Sequence, residues 1–87
     1  MARARVQVVK EVKLEKPQYG GWVLCLQWCR YLYDNGKMER GFRFIWRRPD
    51  GSLQPARGQA RITTLEDAET LIAMARNEGW GNEIGDD

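Results

Sequence analysis

The chain has 87 residues, a formal net charge of +2 and no histidine. That length allows one small domain, of a size that often leans on oligomerisation, metal or disulfides for stability. Lack of histidine excludes Ser-His-Asp and Cys-His nucleophilic systems, histidine general bases and nearly every catalytic zinc site. Two cysteines cannot close a four-thiolate site, so no metal or cofactor is expected. What remains is binding, or chemistry run by carboxylates and lysines.

The small net charge hides a division along the chain. Residues 1–61 carry 13 Lys and Arg against 5 acids, and residues 62–87 carry one Arg against 7 acids. A basic body followed by an acidic C-terminal third raises nucleic-acid binding as a hypothesis, against the blander reading of a solvated surface.

In chain order, residues 4–14 alternate. Val6, Val8, Val12 and Leu14 share one parity, and Arg5, Gln7, Glu11 and Lys13 the other, the pattern of a half-buried strand. Pro17, Gly20 and Gly21 break it. Residues 22–33 read as a long aromatic and apolar second strand. Cys25 and Cys29 lie in it, and four extended residues span about 13 Å, too far for a disulfide with Cα atoms about 5.5 Å apart. Both are read as reduced packing residues of a cytoplasmic protein. No signal peptide or membrane-spanning run is seen.

Asn35-Gly36 predicts a two-residue type I′ hairpin loop. Residues 38–48 return as the third strand, and Pro49-Asp50-Gly51 turns the chain again. Residues 52–62 are expected as a fourth strand, at an edge because Pro55 lacks an N–H and Gly58 weakens it. A helix follows. Thr63 and Glu66 have capping-box spacing, Leu65, Ala68, Leu71, Ile72 and Ala75 form an apolar stripe, and Gly79 stops it. Glu66, Asp67 and Glu69 suit the first turn, where the helix dipole favours acids; capping and solvation explain them more simply than a catalytic pair. The expected fold is α+β: a four-stranded curved antiparallel sheet and one C-terminal helix, ββββα, as a single domain over residues 1–79 with a flexible acidic tail at 80–87.

The two-residue loop fixes a register in which Asp34 opposes Lys37. One face then carries Cys25, Gln27, Cys29, Tyr31 and Tyr33 with Met38, Arg40, Phe42, Phe44 and Trp46. The other carries Trp22, Leu24, Leu26, Trp28 and Arg30 with Arg43 and Arg47. Arginines among aromatic rings on a sheet suit single strands, the cations meeting phosphates and the rings stacking bases. Long arginine stems also lie over tryptophans simply to cover them.

Phe42 to Gly58 (FRFIWRRPDGSLQPARG) resembles the sheet core of the positive-cofactor-four transcriptional coactivator family. Arg43 stands at that family's strand arginine, Trp46 at its tryptophan and Pro49-Asp50-Gly51 at its turn. The likeness runs back to Gly36-Lys37, and Gly21-Trp22 resembles the start of the long strand in bacterial members. The resemblance implies a homodimer that binds single-stranded DNA. It assigns phosphate contacts to Lys37 and Arg43, base stacking to Trp46 and a backbone contact to Arg57. Gly58-Gln59-Ala60 departs from the family's basic ending of strand four, and the aromatic expected just before Gly-Lys has no equivalent here.

The reading is therefore a non-enzymatic homodimer that binds single-stranded DNA or RNA with weak sequence preference, with no small-molecule substrate. Lys37, Arg30, Arg43, Arg47 and Arg57 track phosphates, and Trp22, Trp28 and Trp46 stack bases. The rival is a protein-interaction module using the aromatic face or the edge strand.

Overall fold

The structure is a computed structural model that describes residues 4–54 and 60–80. Three antiparallel strands, β1 (Ala4–Glu15), β2 (Val23–Tyr33) and β3 (Met38–Arg47), lie in the order β1-β2-β3, and one helix, α1 (Leu65–Asn77), follows. A short 3-10 turn at Pro17–Tyr19 and two left-handed glycines, Gly20 and Gly21, carry β1 into β2. Gly21 admits no side chain easily, because an added Cβ would lie 3.3 Å from the Pro49 ring.

The expected fourth strand is corrected to a fragment. After the Asp50–Gly51 turn, among the described residues, the chain pairs only through an isolated bridge, Arg47 with Leu53, supported by Gln54 N donating to Trp46 O at 2.8 Å. Pro55 comes next in the sequence and has no N–H to extend a ladder. Residues 55–59, Arg57 and Gly58 among them, lie outside the described residues. The architecture is thus βββα.

The β2–β3 register also differs from expectation by one residue. A type I′ turn needs positive φ at two successive residues, but only Gly36 has it, at 87°. Gly36 N donates to Tyr33 O, and Tyr33 N donates to Lys37 O. The loop is therefore the three residues Asp34-Asn35-Gly36, a turn closed by a glycine bulge. Asn35 Oδ1 also accepts from Lys37 N at 3.0 Å. Leu32 consequently faces Met38, Trp28 faces Phe42 and Leu24 faces Trp46. Because side chains alternate across a strand, a slip of one residue re-sorts both faces.

One face now stacks rows from β1, β2 and β3. Leu14, Leu24 and Trp46 form the first row, Val12, Leu26 and Phe44 the second, and Lys10, Trp28 and Phe42 the third. Gln7, Arg30 and Arg40, then Arg5, Leu32 and Met38, complete it toward the hairpin. A bulge between Val8 and Lys10 keeps this alternation in phase along β1.

Helix α1 packs over β1 and β2 at the apolar end of that face. Leu71 and Ala75 join Val12, Leu24, Leu26 and Trp28 in the core. Trp80 belongs to the core as well, 7 % exposed, although composition places it in the tail. Gly79 turns the chain with φ 87°, and Trp80 N donates to Ala75 O. Residues 81–87 lie outside the described residues. Among the described residues, no helix is long and apolar enough to cross a membrane.

The helix cap sits one residue later than expected. Thr64 is the N-cap, and its side chain accepts from Asp67 N at 3.0 Å. The buried stripe is also narrower than expected, since Leu65 is 83 % and Ile72 42 % exposed. In their place α1 turns Asp67 inward, 2 % exposed. Tyr19 OH and Thr63 Oγ1 donate to Asp67 Oδ2 at 2.5 and 2.7 Å, and Lys16 pairs with Oδ1. Asp67 thus ties the helix start to the segment after β1, a structural use of an acid. Thr64→Ala should cost about 1 kcal/mol, read from urea unfolding, by orphaning the capped N–H.

Candidate nucleic-acid interface

The structure separates the residues that the sequence reading grouped. Arg43 and Arg47 lie on the face opposite α1, alternating with Gln27 and Val23 as cross-strand partners. There they are held by a polar lattice over the two cysteines. Arg43 Nε donates to Gln27 Oε1 at 2.8 Å, Gln27 Nε2 donates to Glu11, and Arg47 Nη2 pairs with Glu11 at 2.9 Å. Burial opposes ionisation of Glu11, but the bond from Gln27 and the Arg47 pair outweigh it and hold the carboxyl below its usual range. Cys25, Gln27 and Cys29 are fully buried beneath this lattice.

Both cysteines are free, as their spacing requires. Burial, reinforced by nearby Glu11, pushes the Cys25 thiol up to about 11, and burial raises Cys29 as well. Native protein should therefore leave Ellman's reagent unreacted near neutral pH, while unfolded protein titrates both thiols.

The tryptophans lie on the helix side. Trp28 is a core residue, 4 % exposed, and its Nε1 has no hydrogen-bond partner among the described residues. Trp46 packs against the core edge-on to Tyr19, with ring centroids 4.9 Å apart, and its Nε1 donates to Arg61 O at 2.7 Å. Trp22 is half-buried against the same core. Trp28 is thus taken up by the core, and Trp22 and Trp46 are partly covered at its edge. Arg43 and Trp46, which the family resemblance brings together on one ligand, point to opposite faces.

The outer rows of the helix-side face make a different constellation. Arg30 and Arg40 are direct cross-strand partners. Arg5 lies one row toward the hairpin and Lys10 one row toward the helix, with rows about 7 Å apart. Lys37 is exposed at the hairpin tip. None of the central three is idle: Arg30 Nη1 reaches Gln7 Oε1 at 3.5 Å, and Lys10 and Arg40 are also engaged within the folded chain. Arg30 and Arg40 nonetheless set two like charges directly opposite each other, an arrangement unfavourable to a strand pair.

Phe42 lies beside these cations and is 46 % exposed. Its ring leans on Trp28 at 4.5 Å and lies nearly parallel to Trp80 at 6.3 Å. Lys10 Nζ stands 5.8 Å over the Trp80 ring. Between β3 and α1, Phe42 opens onto an apolar groove of about 280 Å³ floored by Leu26 and Phe44 and walled by Ile72, Arg76 and Trp80. Of the residues expected to bind, Arg30 and Lys37 belong to this end of the molecule. Arg5, Lys10, Arg40 and Phe42 join them, and only the correct hairpin register could have assembled them. Comparison with protein-family models, curated proteins and solved structures finds no match for this chain.

Proposed function

We propose that the chain binds single-stranded nucleic acid, DNA in the first instance, along the hairpin end of its helix-side face. Arg5, Lys10, Arg30, Arg40 and Lys37 follow the phosphates, and a base stacks on Phe42 at the mouth of the groove. The observation that carries this reading is the cross-strand Arg30–Arg40 pair beside a half-exposed aromatic ring. Phosphate contact and stacking carry little base information, so sequence preference is weak. Arg43 and Arg47, which bind Gln27 and Glu11, support the outer face instead. No step of the proposal is chemical, and the protein acts by holding its ligand. Handling of exposed strands in transcription, which the family resemblance implies, belongs to the same proposal.

Homodimer formation is part of it. β1 is 12 residues long and pairs on one side only among the described residues, and such an edge accepts another strand. Sedimentation should give twice the 10.1 kDa chain mass; a monomer at high concentration contradicts the dimer but leaves the binding face intact.

Titration of dye-labelled oligo-dT, followed by fluorescence anisotropy, tests the binding. Binding at low salt that weakens steeply as salt rises supports it. Absence of binding at low salt defeats it and leaves the rival, a protein partner seated in the Phe42–Ile72 groove. Phe42→Leu keeps the apolar contact but removes the stacking ring, and should weaken oligo-dT binding roughly tenfold.

A further inference from the structure

We propose that the groove between β3 and α1 takes up one guanine base of the bound strand, and that Arg76 reads it through O6 and N7. The presence of a strand rests on the nucleic-acid reading above; the pocket rests on size and donor chemistry.

The groove encloses about 280 Å³, just under the range of clefts that hold a drug-sized ligand. It has room for one heterocycle rather than for a whole nucleotide. Leu26, Phe42, Phe44 and Ile72 give it an apolar lining that covers the faces of a flat ring. A two-ring purine buries more of that lining than a pyrimidine does.

The polar groups of the lining are few and of one kind. Arg76 brings a guanidinium and Trp80 an indole N–H, and both can only donate. No side chain of the lining is an acceptor, so a base that turns a donor inward leaves it unpaired. Adenine sets its N6 donor beside N7, whereas guanine sets two acceptors, O6 and N7, side by side. The planar fork of an arginine fits that pair with two parallel bonds. Arg76 is exposed in the last turn of α1, and its guanidinium has no hydrogen-bond or ion-pair partner among the described residues. Its charge also suits the C-terminal end of the helix dipole, a role that lysine would fill equally well.

The cationic rows bring the strand to the groove. Arg40 lies two residues before Phe42 on β3, one row away, or about 7 Å. A phosphate held between Arg30 and Arg40 leaves its base at the groove mouth. Phosphate contacts carry no sequence information, and the groove then supplies the one position at which the base is read.

The test is fluorescence anisotropy with dye-labelled oligo-dT carrying one central dG, dA, dC or 7-deaza-dG. At low salt the dG strand should bind the parent about tenfold more tightly than oligo-dT. The 7-deaza strand, which lacks the N7 acceptor, should lose most of that gain. Arg76→Lys keeps the charge but not the fork. It should abolish the gain while leaving oligo-dT affinity and its salt dependence as in the parent. Equal binding of the dG and dT strands, an equal gain from dA or dC, or a gain that survives Arg76→Lys overturns the guanine site and leaves the nucleic-acid reading standing. If no strand binds the parent, the nucleic-acid reading fails, and a titration with guanosine monophosphate followed by NMR decides the pocket alone. Shifts at Phe44, Ile72, Arg76 and Trp80 then support it, and their absence overturns it as well.

Discussion

Asp67→Asn lowers the melting temperature by on the order of 10 °C, the largest stability loss expected of any conservative change in this chain. Asp67 accepts from Lys16, Tyr19 and Thr63 at a buried position, and an amide can satisfy only part of that donor set. The same residue governs acid stability. The bonds from Lys16, then Tyr19, then Thr63 hold its carboxyl far below the usual carboxylate range. As pH falls through that range, the unfolded chain takes up a proton that the folded chain refuses. The contribution is therefore complete above the unfolded value of about 4 and is lost as pH falls toward the native one. Glu11, also lowered, adds in the same direction. Melting temperature should fall as pH drops from about 5 to about 2 in the parent, and the fall should be shallower in Asp67→Asn. A variant with the parent's full acid sensitivity would assign that sensitivity to Glu11 and the remaining carboxylates.

Arg30→Gln with Arg40→Gln has the largest expected effect on binding. Each phosphate contact to a single strand contributes about 0.7 to the slope of log affinity against log salt, so removing two flattens it by about 1.4. At about 50 mM salt the loss is roughly 50-fold. Stability should change little. The substitution relieves the repulsion between direct cross-strand partners and removes the exposed contacts each makes within the folded chain, two small effects of opposite sign. Loss of affinity with retained stability separates a binding role from a structural one. Urea unfolding alongside the salt titration checks both.

These residues also show where the sequence was readable. Strand β1, strand β2, the return strand and the helix follow from alternation and 3.6-residue periodicity, and the reduced state of Cys25 and Cys29 follows from their spacing. The register did not. Asp34-Asn35-Gly36 can close a two-residue or a three-residue loop, and the two differ by one position. Alternation could not arbitrate, because β2 is apolar on both faces: Leu24, Leu26 and Trp28 on one, Cys25 and Cys29 on the other. That single residue sends Trp28 into the core and Arg43 to the far side. It also brings Arg40 and Phe42 onto the face of Arg30. The Asp67 network was illegible for a different reason. Lys16 lies 51 residues away from it in the chain, and no local pattern links them. The fourth strand is shorter than expected because the Asp50–Gly51 turn does return the chain toward β3, while Pro55 lacks the N–H that would continue the ladder.

The measurement closest to the central claim is residue-resolved NMR of the labelled protein titrated with oligo-dT. The account predicts amide and side-chain shifts along Lys10, Arg30, Lys37, Arg40 and Phe42, fading as salt is raised. Shifts centred instead on Tyr31, Arg43 and Arg47 would place the ligand on the face opposite the helix and contradict it.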